Sequence, residues 1–152
     1  MCVILEYLHK RGIFYIIEQP RSSVMFQHPR LHNLLRKHKA KRVSDELGQY
    51  GAETLKPVLF VGTAPFITKL GGQCTPQQRQ KLKTSGHKTC FVYYNRKGKL
   101  SYNGKAKILK DTQSYPSGLG VAVGLAYQQH QSENQVEVTF CEQDHNTTRA
   151  SG

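Results

Sequence analysis

Glu18 and Gln19 close a run of four apolar residues, Phe14-Tyr-Ile-Ile17, and Pro20 follows at once. A short run rich in β-branched and aromatic residues reads as a buried strand. The proline ends it, because it brings no N–H to a ladder. The carboxylate and the amide are therefore expected at the carboxyl end of a central strand, where open α/β sheets bind their ligands. A strand that simply ends in polar loop residues would leave the same pattern.

Two other groups of side chains could contact a polyanion. Arg36, Lys37, Lys39, Lys41 and Arg42 form the densest positive cluster of the chain. They suit phosphate contact, and equally a solvated helix end where the dipole favours cations. Tyr94, Arg96, Lys97 and Lys99 lie among Tyr93, Tyr102 and Lys105, combining charge with rings on which bases stack. Tyrosine is also an ordinary strand residue. Cys74, His87 and Cys90 offer three metal ligands, but a structural zinc site takes four, and only Cys141 or His145 could complete it from a distance. The cysteines contain no C-x-x-C pair, and neither a zinc site nor a disulfide framework is expected.

The elements that would position these residues follow from periodicity. Residues 2–11 carry Ile4, Leu5 and Leu8 opposite Glu6, His9 and Lys10, an amphipathic helix stopped at Gly12. Pro29 suits the first position of a second helix, with Leu31, Leu34 and Leu35 as its apolar stripe. Residues 43–50 are mixed, with Asp45 and Glu46 on an expected edge strand; 51–57 read as a turn. Val58-Leu-Phe-Val-Gly-Thr63 is the second buried strand, followed by a helical turn from Pro65 that ends at Gly71-Gly72. Residues 76–83 read as polar, basic surface, and 89–103 as an antiparallel hairpin. A helix is expected over 115–127, capped by Ser117 and burying Leu119, Val123 and Ala126. Val136-Glu-Val-Thr-Phe140 alternates as an edge strand would, and the chain from Gln143 reads as a disordered tail.

With 152 residues, a single domain over 1–142 is expected. The charge of +12 and pI of 9.7 point to nucleic acid before a membrane surface. Mean hydropathy is −0.56, no apolar run reaches membrane-spanning length, and no leader pattern opens the chain, so an intracellular protein is expected. P-loop, H-E-x-x-H and nucleophile-elbow motifs are absent. Gly118, Gly120 and Gly124 miss the dinucleotide-binding spacing.

The order of motifs is more informative than any one of them. Glu18-Gln19-Pro20 ends a strand; a basic helix, Gln49-Tyr50-Gly51-Ala52, the strand to Gly62 and Tyr115-Pro116 opening a helix follow. This order resembles the second half of a DNA (cytosine-5)-methyltransferase over about residues 2–127. The resemblance implies a partial Rossmann-like α/β sheet with a small antiparallel hairpin insertion. It implies that Glu18 grips and helps protonate a flipped cytosine, with Gln19, Pro20, Ser22, Tyr50, Gly51 and Lys56 shaping the substrate site. The hairpin would lie where the family reads DNA.

The departures are specific. Gln19-Pro20 stands where the family has Asn-Val, and Ala52-Glu53-Thr54 lacks its Pro-Gln pair. Neither a Phe-x-Gly-x-Gly cofactor loop nor a Pro-Cys nucleophile is present; both would lie upstream of Met1. S-adenosylmethionine is thus implied by the resemblance alone, and a complementary N-terminal half would be a partner. The expectation is a truncated or degenerate methyltransferase-like chain, inactive by itself. The alternative is a small basic nucleic-acid-binding module without catalysis.

Overall fold

The computed structural model describes residues 1–85, 91–103 and 114–147. The chain is mixed α/β, built on a three-stranded sheet with helices on both faces. Helix α1 (Cys2–Lys10) leads to strand β1 (Ile16–Pro20), and helix α2 (Pro29–Lys37) to strand β2 (Lys41–Glu46). Strand β3 (Pro57–Gly62), helix α3 (Pro76–Thr84), the hairpin strands β4 (Phe91–Tyr94) and β5 (Leu100–Asn103), and helix α4 (Ser117–Thr147) complete the chain.

The sheet order is β1-β3-β2, and both neighbours pair antiparallel with β3. Strands β1 and β2 therefore run parallel to each other, one strand apart. This departs from the adjacent parallel strands expected of a Rossmann-like sheet, and it places Glu18 on an edge strand rather than a central one. The reason is in β3 itself. Val58, Leu59, Phe60 and Val61 are consecutive apolar residues, and such a run is stable only where both faces are covered. Val58 and Phe60 enter one core with Leu47, Ile67, Leu70, Leu119 and Ala126. Val61 enters the other with Leu5, Tyr15, Phe26, Leu31 and Leu35, and Leu59 packs against it. The link over 47–56 is short, so β3 returns beside β2 as its antiparallel neighbour.

Residues 43–46, expected to be a mixed edge, belong to the full edge strand β2, with Asp45 and Glu46 buried at its end. Residues 76–83 form more than basic surface. Thr75 accepts from the Gln78 N–H at 3.2 Å, and Gln78 accepts from the Thr75 N–H at 2.8 Å, closing a capping box around Pro76. Val136–Phe140, expected as an edge strand, continues α4. The helix runs through Thr147, past Gln143, where the sequence places the start of a tail. It begins at Ser117, so Pro116 and not Ser117 holds the cap position; the Pro116 carbonyl accepts from the Leu119 N–H at 3.0 Å.

The face carrying α1 and α2 is tied by a polar chain that runs from the exposed Lys37 to the buried His38. Glu6 accepts from Lys37 at 2.7 Å and from His38 Nε2 at 3.1 Å; His38 Nδ1 lies 2.9 Å from the Tyr15 hydroxyl. The Lys37 and His38 contacts hold the Glu6 carboxyl below its ordinary range. An ionised carboxylate only accepts, so Nε2 carries a proton, and in the neutral imidazole Nδ1 is then the acceptor that faces the Tyr15 hydroxyl. His9 stacks on His38 with centroids 3.9 Å apart.

Candidate functional site

Register decides which residues share a face. Glu18 pairs with Phe60, which pairs with Val43 across the sheet, so Glu18 shares the face that packs under α4. Gln19 pairs with Leu59 and looks to the other face, where its Oε1 accepts from the Ser23 hydroxyl at 3.2 Å. The expected pairing of Glu18 and Gln19 in one site is thereby corrected: the strand's two-residue period sends them apart. Ser22 is exposed, and it is Ser23 that caps the next turn by accepting from the Met25 N–H at 3.3 Å. Pro20 is exposed at the strand end.

Glu18 meets a residue ninety-seven positions away. The Tyr115 hydroxyl donates a short hydrogen bond to its Oε2, while the buried Oε1 has no hydrogen-bond partner among the described residues. Tyr115 is pushed up to about 12, first by this bond and then by burial and the carboxylate's charge. The Lys56 ammonium lies 5.0 Å from the centroid of the Tyr115 ring, a cation–π distance. Beside them is a pocket of about 190 Å³, lined by Gly51, Ala52, Thr54, Lys56 and Ser114-Tyr115-Pro116 among others. The fold thus gathers Glu18, Gly51 and Lys56, adds Tyr115, and leaves Gln19 and Ser22 outside.

Tyr50 works behind this pocket. Its hydroxyl lies 2.6 Å from Asp45 Oδ2 and 2.8 Å from the Leu70 carbonyl, and burial raises it first, with the Asp45 bond and charge adding to the shift. Its backbone also seats α4. A Cβ on Gly118 would lie 2.4 Å from the Tyr50 carbonyl oxygen. Gly118→Ala is therefore expected to lift the start of α4 and cost about 2 kcal/mol. It should also sever Tyr115 from Glu18, seen as a fall in the Tyr115 titration midpoint toward 10. A midpoint unchanged from the wild type would show that α4 is not held by this approach.

The basic residues are not delivered to Glu18. Lys41 pairs with Gly62, opposite Ile16, two positions toward the start of β1 from Glu18. Arg36 and Lys37 end α2, and Lys39 turns the chain with φ of 53° before Lys41 and Arg42 open β2. All five are exposed at the opposite end of the sheet from Pro20, and Lys37 is paired with Glu6. Tyr94, Arg96, Lys97 and Lys99 sit on the separate β4-β5 sheet. The Asn95 side chain there accepts from the Lys97 and Lys99 N–H groups at 3.0 Å each, with Gly98 at φ of 69°. Tyr94 is 74% exposed.

Cys74 is buried, its backbone N–H donating to Glu46 Oε2 at 2.9 Å, and burial and then the nearby Glu46 push its thiol up. His87 and Cys90 lie outside the described residues, and so the three-ligand grouping with Cys74 does too. Among the described residues no group of three or more His, Cys, Asp or Glu could hold a metal ion. No described helix is long and apolar enough to cross a membrane. Tyr115 was legible in the sequence only as part of a helix start; its link to Glu18 leaves no local signal.

No protein-family model, curated protein or solved structure matches this chain.

Proposed function

We propose that this chain is a nucleic-acid-facing part of a cytosine-methyltransferase-like domain, in which Glu18 meets a base turned out of its strand. The single observation that carries the reading is the Glu18 carboxylate: one oxygen capped by Tyr115, the other buried without a donor among the described residues, beside a pocket lined by the loop from Gly51 to Thr54. Buried acceptors are normally satisfied, and the exocyclic amino group of a cytosine, which thymine lacks, would supply the missing donor. The 152 residues contain neither the glycine-rich cofactor loop nor a Pro-Cys nucleophile, and methyl transfer by this chain alone is not part of the proposal.

The experiment is fluorescence anisotropy with two duplexes that differ at one position opposite an abasic site, cytosine in one and thymine in the other. Such a base leaves the stack at little cost. The cytosine duplex should bind about tenfold tighter, the size of one hydrogen bond to a charged group. Glu18→Ala should erase that preference and leave the salt dependence of binding unchanged. Equal affinity of the wild type for both duplexes would sink the base-binding role. It would favour the second reading, a basic module, which rests on the exposed cations Arg36, Lys39, Lys41 and Arg42 at the far end of the sheet, without an ion pair among the described residues. Calorimetry should find no saturable S-adenosylmethionine binding in either case.

A further inference from the structure

Helix α1 is apolar on two sides, and the sheet uses only one of them. Cys2, Leu5 and Leu8 pack into the core shared with α2. Val3, Ile4 and Tyr7 face outward at 73%, 61% and 55% exposure. A nine-residue helix is marginal by itself, and one that keeps Val3, Ile4 and Tyr7 exposed beside its buried stripe has apolar surface left to cover. Between α1 and α2 runs a groove of about 360 Å³ with Val3, Tyr7 and Leu34 as its apolar lining and Lys10 and Arg30 at its rim. Glu6 is the one acid lining it, and both its oxygens are taken, by Lys37 and by His38. Lys10 and Arg30 make no ion pair among the described residues, which leaves the groove two uncompensated positive charges.

From this complementarity we infer that the α1–α2 groove is a docking site for an amphipathic helix of a partner protein, apolar along one stripe and acidic beside it. A groove between two helices accepts a third through anchors spaced i, i+3, i+4 and i+7. A nucleic acid has no use for the Val3-Ile4-Tyr7 surface. A second copy of this chain is disfavoured by charge: each copy carries +12, and a two-fold contact would set Lys10 and Arg30 against their like. The inference stands apart from the base-binding proposal, since α1 and α2 cover the sheet face opposite Glu18.

The test uses the full chain and a fluorescein-labelled synthetic helix of about sixteen residues, with leucines at helical spacing and glutamates flanking them. A scrambled peptide of identical composition and a twin with lysines for glutamates are the controls. The expected result is saturable binding of the first peptide, at least tenfold weaker for the scramble, and none for the lysine twin. Val3→Ser with Tyr7→Ser, neutral changes at exposed positions, should weaken binding at least tenfold with an unchanged circular dichroism spectrum. Lys10→Glu with Arg30→Glu should reverse the preference toward the lysine twin. Equal binding of the acidic peptide and its scramble, or binding indifferent to the serine pair, would overturn the inference. So would a concentration-dependent dimer abolished by the serine pair, because the groove would then belong to a second copy.

Discussion

Gly62→Ala should destabilise the protein by about 3 kcal/mol, the upper range for an overpacked interior site, and lower Tm by roughly 6–12 °C in a domain of this size. A Cβ at this position would lie 2.0 Å from the Tyr15 carbonyl oxygen and 2.9 Å from the Ile16 Cα. Both obstacles are backbone, so no rotamer change relieves them. The only relief is to push β1 off β3 where the two strands begin to pair, at Ile16 opposite Gly62. That movement also loosens two bonds just beyond the ladder, Thr63 N–H to the Tyr15 carbonyl at 3.0 Å and Tyr15 N–H to the Thr63 hydroxyl at 3.3 Å. Urea unfolding followed by far-ultraviolet circular dichroism measures the effect. Gly124→Ala is the control, because nothing lies within 4 Å of its added Cβ; two turns into α4, it should be neutral or stabilising by up to about 1 kcal/mol. A Gly62 variant within 1 kcal/mol of wild type would mean that the strand contact is looser than described.

The second large effect belongs to Asp45, which has no exposed surface. Its oxygens face the Glu46 N–H at 2.5 Å, the Gln49 side-chain amide and the Tyr50 hydroxyl at 2.6 Å. That hydroxyl also lies 2.8 Å from the Leu70 carbonyl. One hydroxyl proton cannot serve both acceptors. The conflict disappears when Asp45 is protonated, since it then donates to Tyr50, which donates to Leu70. Desolvation works the same way, raising Asp45 above its ordinary 3.8 against the opposing hydrogen bonds from Tyr50, Glu46 and Gln49. Asp45→Ala strands these donors in the core and should cost about 3 kcal/mol.

The pH dependence has a definite sign. Between the ordinary value of the unfolded chain and the raised value of the fold, the native state holds more protons than the unfolded state. Stability from this group is therefore full below 3.8 and declines as pH rises through that window. Asp45→Asn removes the titration. The wild-type stability measured relative to Asp45→Asn should fall across the window, and a difference that grows with pH would refute the upward shift of Asp45.

How much of this was legible in advance follows the range of the interactions. Helices α1 and α2 were readable because their stripes repeat within one or two turns, and β3 because four apolar residues in a row have no other stable use. Helix α3 carried a readable signal as well, Thr75-Pro-Gln-Gln78, a capping box with proline at the first position. The strand expected over Val136–Phe140 failed for a different reason. Alternation over five residues is compatible with either period, and the preceding helix simply propagates through it.

Local pattern and composition suffice for the end of β1 at Glu18-Gln19-Pro20, for β3 as the most apolar strand, and for the excess positive charge. Each depends on neighbours in the chain or on composition alone. The place of β3 between β1 and β2 comes from long-range packing, because that order is a choice among burial arrangements of equal local quality. The same strand order left the cations 36–42 at the opposite end of the sheet from Pro20, whereas the turning of Gln19 away from Glu18 follows from the two-residue period of any strand. The pairing of Glu18 with Tyr115 is the extreme case. It spans ninety-seven residues and depends on Gly118 letting α4 settle against the Tyr50 backbone, a close approach between surfaces that no local pattern encodes.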